Sequence, residues 1–393
     1  MSNLYGASRQ WQTRPADQRF WTISDMLEKM SDYTSECRVD PVALSECSII
    51  TSGDGYGPEY DGDDDLLLLT PSDDVISFQH YSFGQLAGIA KSPAAYLREL
   101  PAPLAAQCLN HGLARVGGEQ AMLLHQNGGL ALRCITSQEY SRIWNWEVAE
   151  MALALEEGEG WRVPPARPCN LPGVEVRTAT AADCLRRASH PSLGIKPGDK
   201  ISPAGLYASD KDCYILQINE DCSIEGGNGE NLYRGVIWGN SEVGDRRFFG
   251  TMFLFESICG NHIIWNSKVL AEISIRHTGN AREAFAEAMA SITGNMNRAG
   301  SEDEKRIKAA KRYELGPGRD EVVDLVFRKN FGLTRAECND AYTIADRVQD
   351  DHGGNPTSAW GYVAGLTRLS QGVYADSRER MDRAGGKILE MAQ

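Results

Sequence analysis

Four arginines flank the turns of one stretch of this chain. Arg246 and Arg247 follow a Gly-Asp turn, and Arg276 and Arg282 bracket a later one. Lys268, His277 and Asn280 lie in the same stretch, while Trp238, Phe248, Phe249 and Trp265 fall in the apolar runs between. Basic side chains bind phosphates and aromatic faces stack on bases. Interleaving the two on a sheet holds a single strand without reading its sequence. Asn280-Ala281, at the start of an expected helix, would add free backbone N–H groups suited to a phosphate. The candidate nucleic-acid residues are therefore Arg246, Arg247, Lys268, Arg276, His277, Asn280, Arg282 and Trp238. The competing reading is that strand aromatics form core and that arginines after turns are merely solvated.

Other chemistries have weaker spacing. His262 and His277, with Glu242 or Glu256, could bind a metal or relay a proton. Their positions match neither His-x-x-x-His nor His-Glu-x-x-His. The Asp61–Asp65 cluster could hold a divalent cation but lacks the Asp-x-Asp-x-Asp-Gly loop with its distal Glu. There is no Gly-x-Ser-x-Gly elbow and no phosphate-binding Gly-x-x-x-x-Gly-Lys-Ser/Thr loop. Gly226-Gly-Asn-Gly229 sits in a hairpin-like loop with no helix behind it. No catalytic residue, metal or cofactor is assigned.

The element that must position these residues runs from Tyr214 to Asn297. Short runs rich in Ile, Val, Phe, Tyr and Trp are separated by Gly, Asn and Asp, the pattern of consecutive strands joined by turns. Four or five antiparallel strands are expected, closed by an amphipathic helix from Ala281 to about Asn297.

The same stretch carries a resemblance. Asn240-Ser-Glu-Val-Gly244, Phe253-Leu-Phe-Glu-Ser-Ile-Cys259-Gly-Asn261 and Arg276-His-Thr-Gly-Asn-Ala281 resemble blocks of a family of phage- and plasmid-encoded proteins of unknown function. Gln10 to Phe20 resembles that family's opening, and Trp360 through Thr367 to Gly386 its close. His262 departs from it, where the family more often has Gly. The resemblance implies a mobile-element origin and supplies no reaction. A topological similarity to phage single-strand annealing recombinases, whose core is also a curved meander on a helix, stands as analogy.

Composition bounds the rest. The 393 residues are 42% hydrophobic and 24% charged, which is ordinary for a soluble globular chain of two domains or one enlarged core. No apolar run reaches the roughly 18–20 residues of a membrane helix. The start, Met-Ser-Asn-Leu-Tyr-Gly, lacks a signal peptide's basic and apolar regions, so a cytoplasmic protein is expected. Ten cysteines without a Cys-x-x-Cys read as reduced, buried thiols. Of the net charge of −14, most comes from Val39–Ala90, which holds ten acidic residues and no Lys or Arg. An acidic loop there leaves room for a basic groove elsewhere.

Along the chain, Ser24 is expected to cap a helix reaching about Glu36. Val42–Ile50 and Leu66–Thr70 read as strands around a Gly- and Asp-rich loop, 53–65. Ser82–Lys91, Ser92–Leu100 and Pro103–Arg115 read as helices. Ala121–Gln126 and Gly129–Thr136 form a hairpin around Asn127-Gly128, and Ser137 is expected to cap a helix to Glu157. Prolines in Gly158–Gly173 mark a boundary. Beyond Asn297 nearly everything reads as helix, interrupted at Gly316-Pro-Gly318. The expected class is α+β: an N-terminal α+β lobe (1–157), a Pro/Gly-rich connection (158–205), the central meander with its helix (206–297) and a helical C-terminal region (298–393). The functional expectation is single-stranded DNA binding or annealing by a homo-oligomer. The alternatives are a counter-defence protein that docks a host factor through the acidic 54–74 loop, and a metal-dependent enzyme.

Overall fold

The computed structural model describes residues 16–52, 66–126, 128–164, 167–168, 176–180, 196–203, 205–225, 231–256, 262–263, 273–287, 301–352, 354–370, 373 and 375–392. Helix α1 (Ile23–Ser35) opens at Thr22 rather than Ser24. The Thr22 hydroxyl accepts the Asp25 N–H at 3.0 Å, satisfying a donor that the helix start leaves free.

The N-terminal sheet has six strands: β1 (Cys37–Val42), β2 (Ser48–Thr51), β3 (Leu66–Leu69), β4 (Val75–Phe78), β5 (Gln120–Gln126) and β6 (Leu130–Thr136). Their spatial order is β1-β5-β6-β4-β3-β2. Among the described residues of this sheet, only β4 and β6 run parallel. The expected strand from Val42 to Ile50 is broken by a 3-10 turn at Leu44–Glu46. β1 escapes a pattern reading because it mixes polar residues with Pro41. Proline is tolerated there because β1 is an edge strand. Helices α2 (His80–Ile89), α3 (Ala94–Leu97) and α4 (Ala102–Leu113) cover one face. They bury Leu86, Leu109 and Leu113 against Leu68, Ile76 and Leu132.

Helix α5 (Asn145–Glu159) takes Trp144 as its N-cap, seven residues after the expected Ser137. Residues 137–144 spend their backbone groups on tertiary partners instead, including a bridge from Tyr140 to Thr278. Gly160, at φ 73°, ends the helix in the left-handed conformation that glycine adopts without strain. The helix does not close the N-terminal lobe. With α1, it packs on the central sheet, where Ile23, Met26, Val148, Ala152 and Trp161 share a core with Ile215, Val236 and Trp238.

Short strands follow: β7 (Trp161–Arg162), then β8 (Arg167–Pro168), β9 (Arg177–Thr178) and β10 (Lys200–Ser202), the last three forming a small sheet of their own. The central sheet is the expected antiparallel meander: β11 (Leu206–Ala208), β12 (Cys213–Glu225), β13 (Asn231–Asn240), β14 (Phe248–Glu256) and β15 (His262–Ile263). Strand β16 (Ile273–Ile275) also pairs with β14, and β7 with β12. Helix α6, described over 281–287, lays Phe285 edge-on against Phe248, with ring centroids 4.8 Å apart.

Side chains alternate across the meander with period two. Leu206, Ile215, Trp238, Phe248 and Ile275 face α1, α5 and α6. Tyr207, Tyr214, Leu216, Ile237 and Phe249 face the other way. Two glycines make room for large rings. A Cβ on Gly250 would come 2.4 Å from the Trp238 ring, and one on Gly239 2.2 Å from the Phe249 ring.

Five helices close the chain: α7 (Ser301–Arg312), α8 (Arg319–Arg328), α9 (Arg335–His352), α10 (Ala359–Ser370) and α11 (Ala375–Glu390). Helix α10 is buried nearly all round, as its apolar sequence requires. The bundle also seats the far end of the β12–β13 hairpin through Ile224 and Leu232. The protein is therefore α+β with a helical C-terminal region. Among the described residues no helix is long and apolar enough to cross a membrane. Cys134, Cys213 and Cys338 are buried free thiols, and Cys37 and Cys108 are partly buried ones.

Candidate nucleic-acid interface

The β14–β16 ladder brings two of the candidate arginines together. It pairs Phe248 with Ile275 and Phe249 with Ser274. One step past its end, the register sets Arg247 opposite Arg276. Both are exposed, and neither has a carboxylate partner among the described residues. Continuing the alternation places Arg247 and Arg276 on the same face as Phe249 and Ser274. Phe249 is half-buried and Ser274 exposed. One corner of the sheet thus offers two guanidinium groups beside an aromatic ring.

Asn280 and Arg282 stand nearby, around the turn into α6. Asn280 is exposed, and its carbonyl accepts the Ala284 N–H at 2.9 Å. Arg282 is 60% exposed but reaches Glu147 of α5 at 3.0 Å. Its charge is partly answered within the protein. Lys268 lies outside the described residues, as do Trp265 and the Asp61–Asp65 cluster.

Three other expectations are corrected by burial. Trp238 is fully buried on the core face and donates its indole N–H to Gln217 Oε1 at 3.1 Å, so no base can stack on it. Arg246 turns inward. Its guanidinium lies over the Tyr214 ring at 5.1 Å, donates to the Tyr214 hydroxyl, and sits 3.4 Å from Asp245 and 3.8 Å from Asp212. It is thereby committed to its own carboxylates rather than to a phosphate. His277 is buried beneath Tyr140, with ring centroids 5.1 Å apart, and its Nδ1 accepts the Ile143 N–H at 3.3 Å. Burial lowers its pKa to about 4, so it carries no charge at neutral pH.

Asn240-Ser-Glu-Val-Gly244 and Arg276-His-Thr-Gly-Asn-Ala281 meet around residues 140–147. Asn240 Nδ2 donates to Ile143 O and to Asn145 Oδ1, both at 2.9 Å. The Glu242 carboxylate takes Arg133 from β6 at 2.7 Å and the Asn145 N–H, also at 2.7 Å. Arg142 donates to the Glu242 carbonyl at 2.7 Å. These blocks build the joint between the two sheets. Glu242 is consequently engaged by cation and backbone rather than left open for a metal or a proton relay with His277. Among the described residues no group of three or more His, Cys, Asp or Glu side chains could hold a metal ion.

Sequence reasoning also missed residues. A row crosses the outer face of the sheet from strand to strand: Tyr207, Tyr214, Gly239, Phe249, Ser274. The Tyr207 and Tyr214 rings, both buried, lie 6.2 Å apart, and Tyr214 meets the half-buried Phe249 edge-on at 6.3 Å. Strand alternation signals that Tyr214 and Phe249 lie opposite in sense to Trp238, but apolar residues on both faces conceal which face is core. The chain matches no protein-family model, no curated protein and no solved structure.

Proposed function

We propose that the protein binds single-stranded DNA across the outer face of its central sheet, as a phage- or plasmid-encoded recombination or replication protein. The observation that carries this reading is the β14–β16 register, which one step past Phe248 and Ile275 brings exposed Arg247 and exposed Arg276 to the face that bears Phe249. Phosphate contacts by unpaired arginines supply affinity, and an adjacent aromatic ring stacks without regard to sequence. Trp238, Arg246 and His277 take no part. The likeness of the Asn240–Gly244 and Arg276–Ala281 blocks to mobile-element proteins supplies the setting, a host cytoplasm. Assembly into a homo-oligomer belongs to the same proposal, since single-strand binding is commonly cooperative along the strand.

The test is oligonucleotide binding measured against salt. A phosphate binder weakens as salt rises, and Arg247→Ala with Arg276→Ala should reduce that dependence. Absence of binding at low salt would remove the reading. A protein partner docking on the acidic 54–74 loop would take its place, because the surrounding Val39–Ala90 stretch holds ten acidic residues and no Lys or Arg.

A further inference from the structure

Arg19 is 9% exposed, yet its Nε and Nη1 are enclosed without any hydrogen-bond partner. No carboxylate among the described residues lies within ion-pair distance of it. A guanidinium removed from water needs an anion or several acceptors. Left without them it is strongly unfavourable, and unlike lysine it does not escape by losing its proton.

Its location shows what could answer the charge. Arg19 forms an antiparallel bridge with Tyr207 on the edge strand β11. Paired residues in an antiparallel ladder project to the same side of the sheet. Arg19 therefore extends the outer-face row, which reads Arg19, Tyr207, Tyr214, Gly239, Phe249, Ser274. Its far end adjoins Arg247 and Arg276. The neighbouring Phe20 N–H donates to Leu206 O at 3.4 Å, and the exposed Arg177 lies over Trp21 at 4.3 Å.

We propose that Arg19 is the anchor of an anion site that takes a phosphate, or the phosphodiester of a bound strand, at the β11 edge of the central sheet. The inference rests on the nucleic-acid reading only for the source of the phosphate. Strands lie about 4.8 Å apart, so the five steps from β16 to Arg19 span about 24 Å. That distance matches several nucleotides. Tyr207 and Tyr214 are buried beneath it, so the half-buried Phe249 is the ring of this row that a base could meet.

Three proteins decide it: the wild type, Arg19→Met, and the double variant Arg247→Ala with Arg276→Ala. Inorganic phosphate should raise the melting temperature of the wild type and leave Arg19→Met unmoved. Without phosphate, Arg19→Met should melt at or above the wild type, because it removes a buried charge that has no partner. With an oligothymidylate, Arg19→Met should lower the salt slope by about one. Equal phosphate responses in both proteins, or none in either, overturn the inference. So does an unchanged salt slope in Arg19→Met while the double variant loses binding, an outcome that leaves the nucleic-acid reading standing. If the wild type binds no oligonucleotide but phosphate still stabilises it and not Arg19→Met, the anion site stands and the nucleic-acid reading falls. Arg19→Gln repeats the comparison should the Met variant fail to fold.

Discussion

Arg133 of the N-terminal sheet and Glu242 of the central unit meet at 2.7 Å, with side chains only 1% and 2% exposed. The Arg133 guanidinium also lies over the Tyr33 ring at 4.5 Å, and Glu242 has its second oxygen filled by the Asn145 N–H. The pair is therefore hydrogen-bonded as well as charged, but the Arg133 Nε is enclosed without a partner, so the desolvation of the pair is offset only in part.

Breaking that pair from one side leaves a charge with nothing to answer it. Glu242→Gln keeps the shape and removes the charge. It should cost about 3–5 kcal/mol in denaturant unfolding. Arg133→Met combined with Glu242→Leu should recover much of the loss, since a buried pair replaced by apolar groups is often near neutral. A double variant no better than the single one would show that Glu242 acts mainly through Asn145 and the Arg142 contact to its carbonyl.

His277 makes stability depend on pH. Its Nδ1 accepts the Ile143 N–H, so the neutral ring carries its proton on Nε2. Burial holds the folded pKa near 4, below the ordinary 6.5. Between these values the unfolded chain binds more protons than the folded one, so stability is full above about pH 6.5 and is lost as pH falls toward 4. The shift corresponds to a loss on the order of 3 kcal/mol. His277→Asn keeps an acceptor for Ile143 and should flatten the acid limb of a stability–pH curve. Some slope should remain, because burial also lowers the pKa of His125. An unaltered slope in His277→Asn would contradict the assignment.

Much of the architecture was legible because local signals agreed with one another. Asn127-Gly128 announced the β5–β6 hairpin, and Gly316-Pro-Gly318 separated α7 from α8. The strand pattern of the central stretch matched the observed meander. What failed depended on tertiary partners. Residues 138–144 were expected to be helical, yet the Ile143 N–H donates to His277 and the Ser141 N–H to the His277 carbonyl. The site was legible only in part for a similar reason. Period two separates Trp238 from Phe249, but it does not reveal that α1 and α5, distant in sequence, bury the Trp238 side. Nor does a turn arginine show whether it points to solvent, as Arg247 does, or folds back on Tyr214 and Asp245, as Arg246 does.

Gly365 fixes how closely α9 and α10 approach. A Cβ there would lie 2.3 Å from Ala341 O and 2.5 Å from Ala345 N, both backbone atoms of α9. No side-chain rotation relieves such a clash. Gly365→Ala gains helix propensity of about 1 kcal/mol but must push two helices apart. Overpacking of this kind costs about 1–3 kcal/mol or more, so a net loss of stability is expected in thermal or denaturant unfolding. A stabilised Gly365→Ala would mean that the helices separate without loss.

The remaining expectation concerns the corner where Arg247 faces Arg276. Two like charges directly opposite on a ladder repel, and each such pair is mildly unfavourable for the free protein. Removing both should therefore leave stability within about 1 kcal/mol, or raise it slightly. A phosphate between them would turn the repulsion into attraction on both sides. Arg247→Ala with Arg276→Ala should then weaken single-strand binding and reduce the salt slope by up to about two. Arg246→Ala should behave differently: it strips Asp212, Asp245 and the Tyr214 ring of their shared cation, so it should lower stability while leaving the salt slope nearly intact. Phe249→Ala should lower affinity by about 1–3 kcal/mol if its ring takes a base, with no change in salt slope, because stacking releases no counterions. If instead Arg246→Ala lowers the slope and the Arg247/Arg276 double variant does not, the strand does not run over this corner of the sheet.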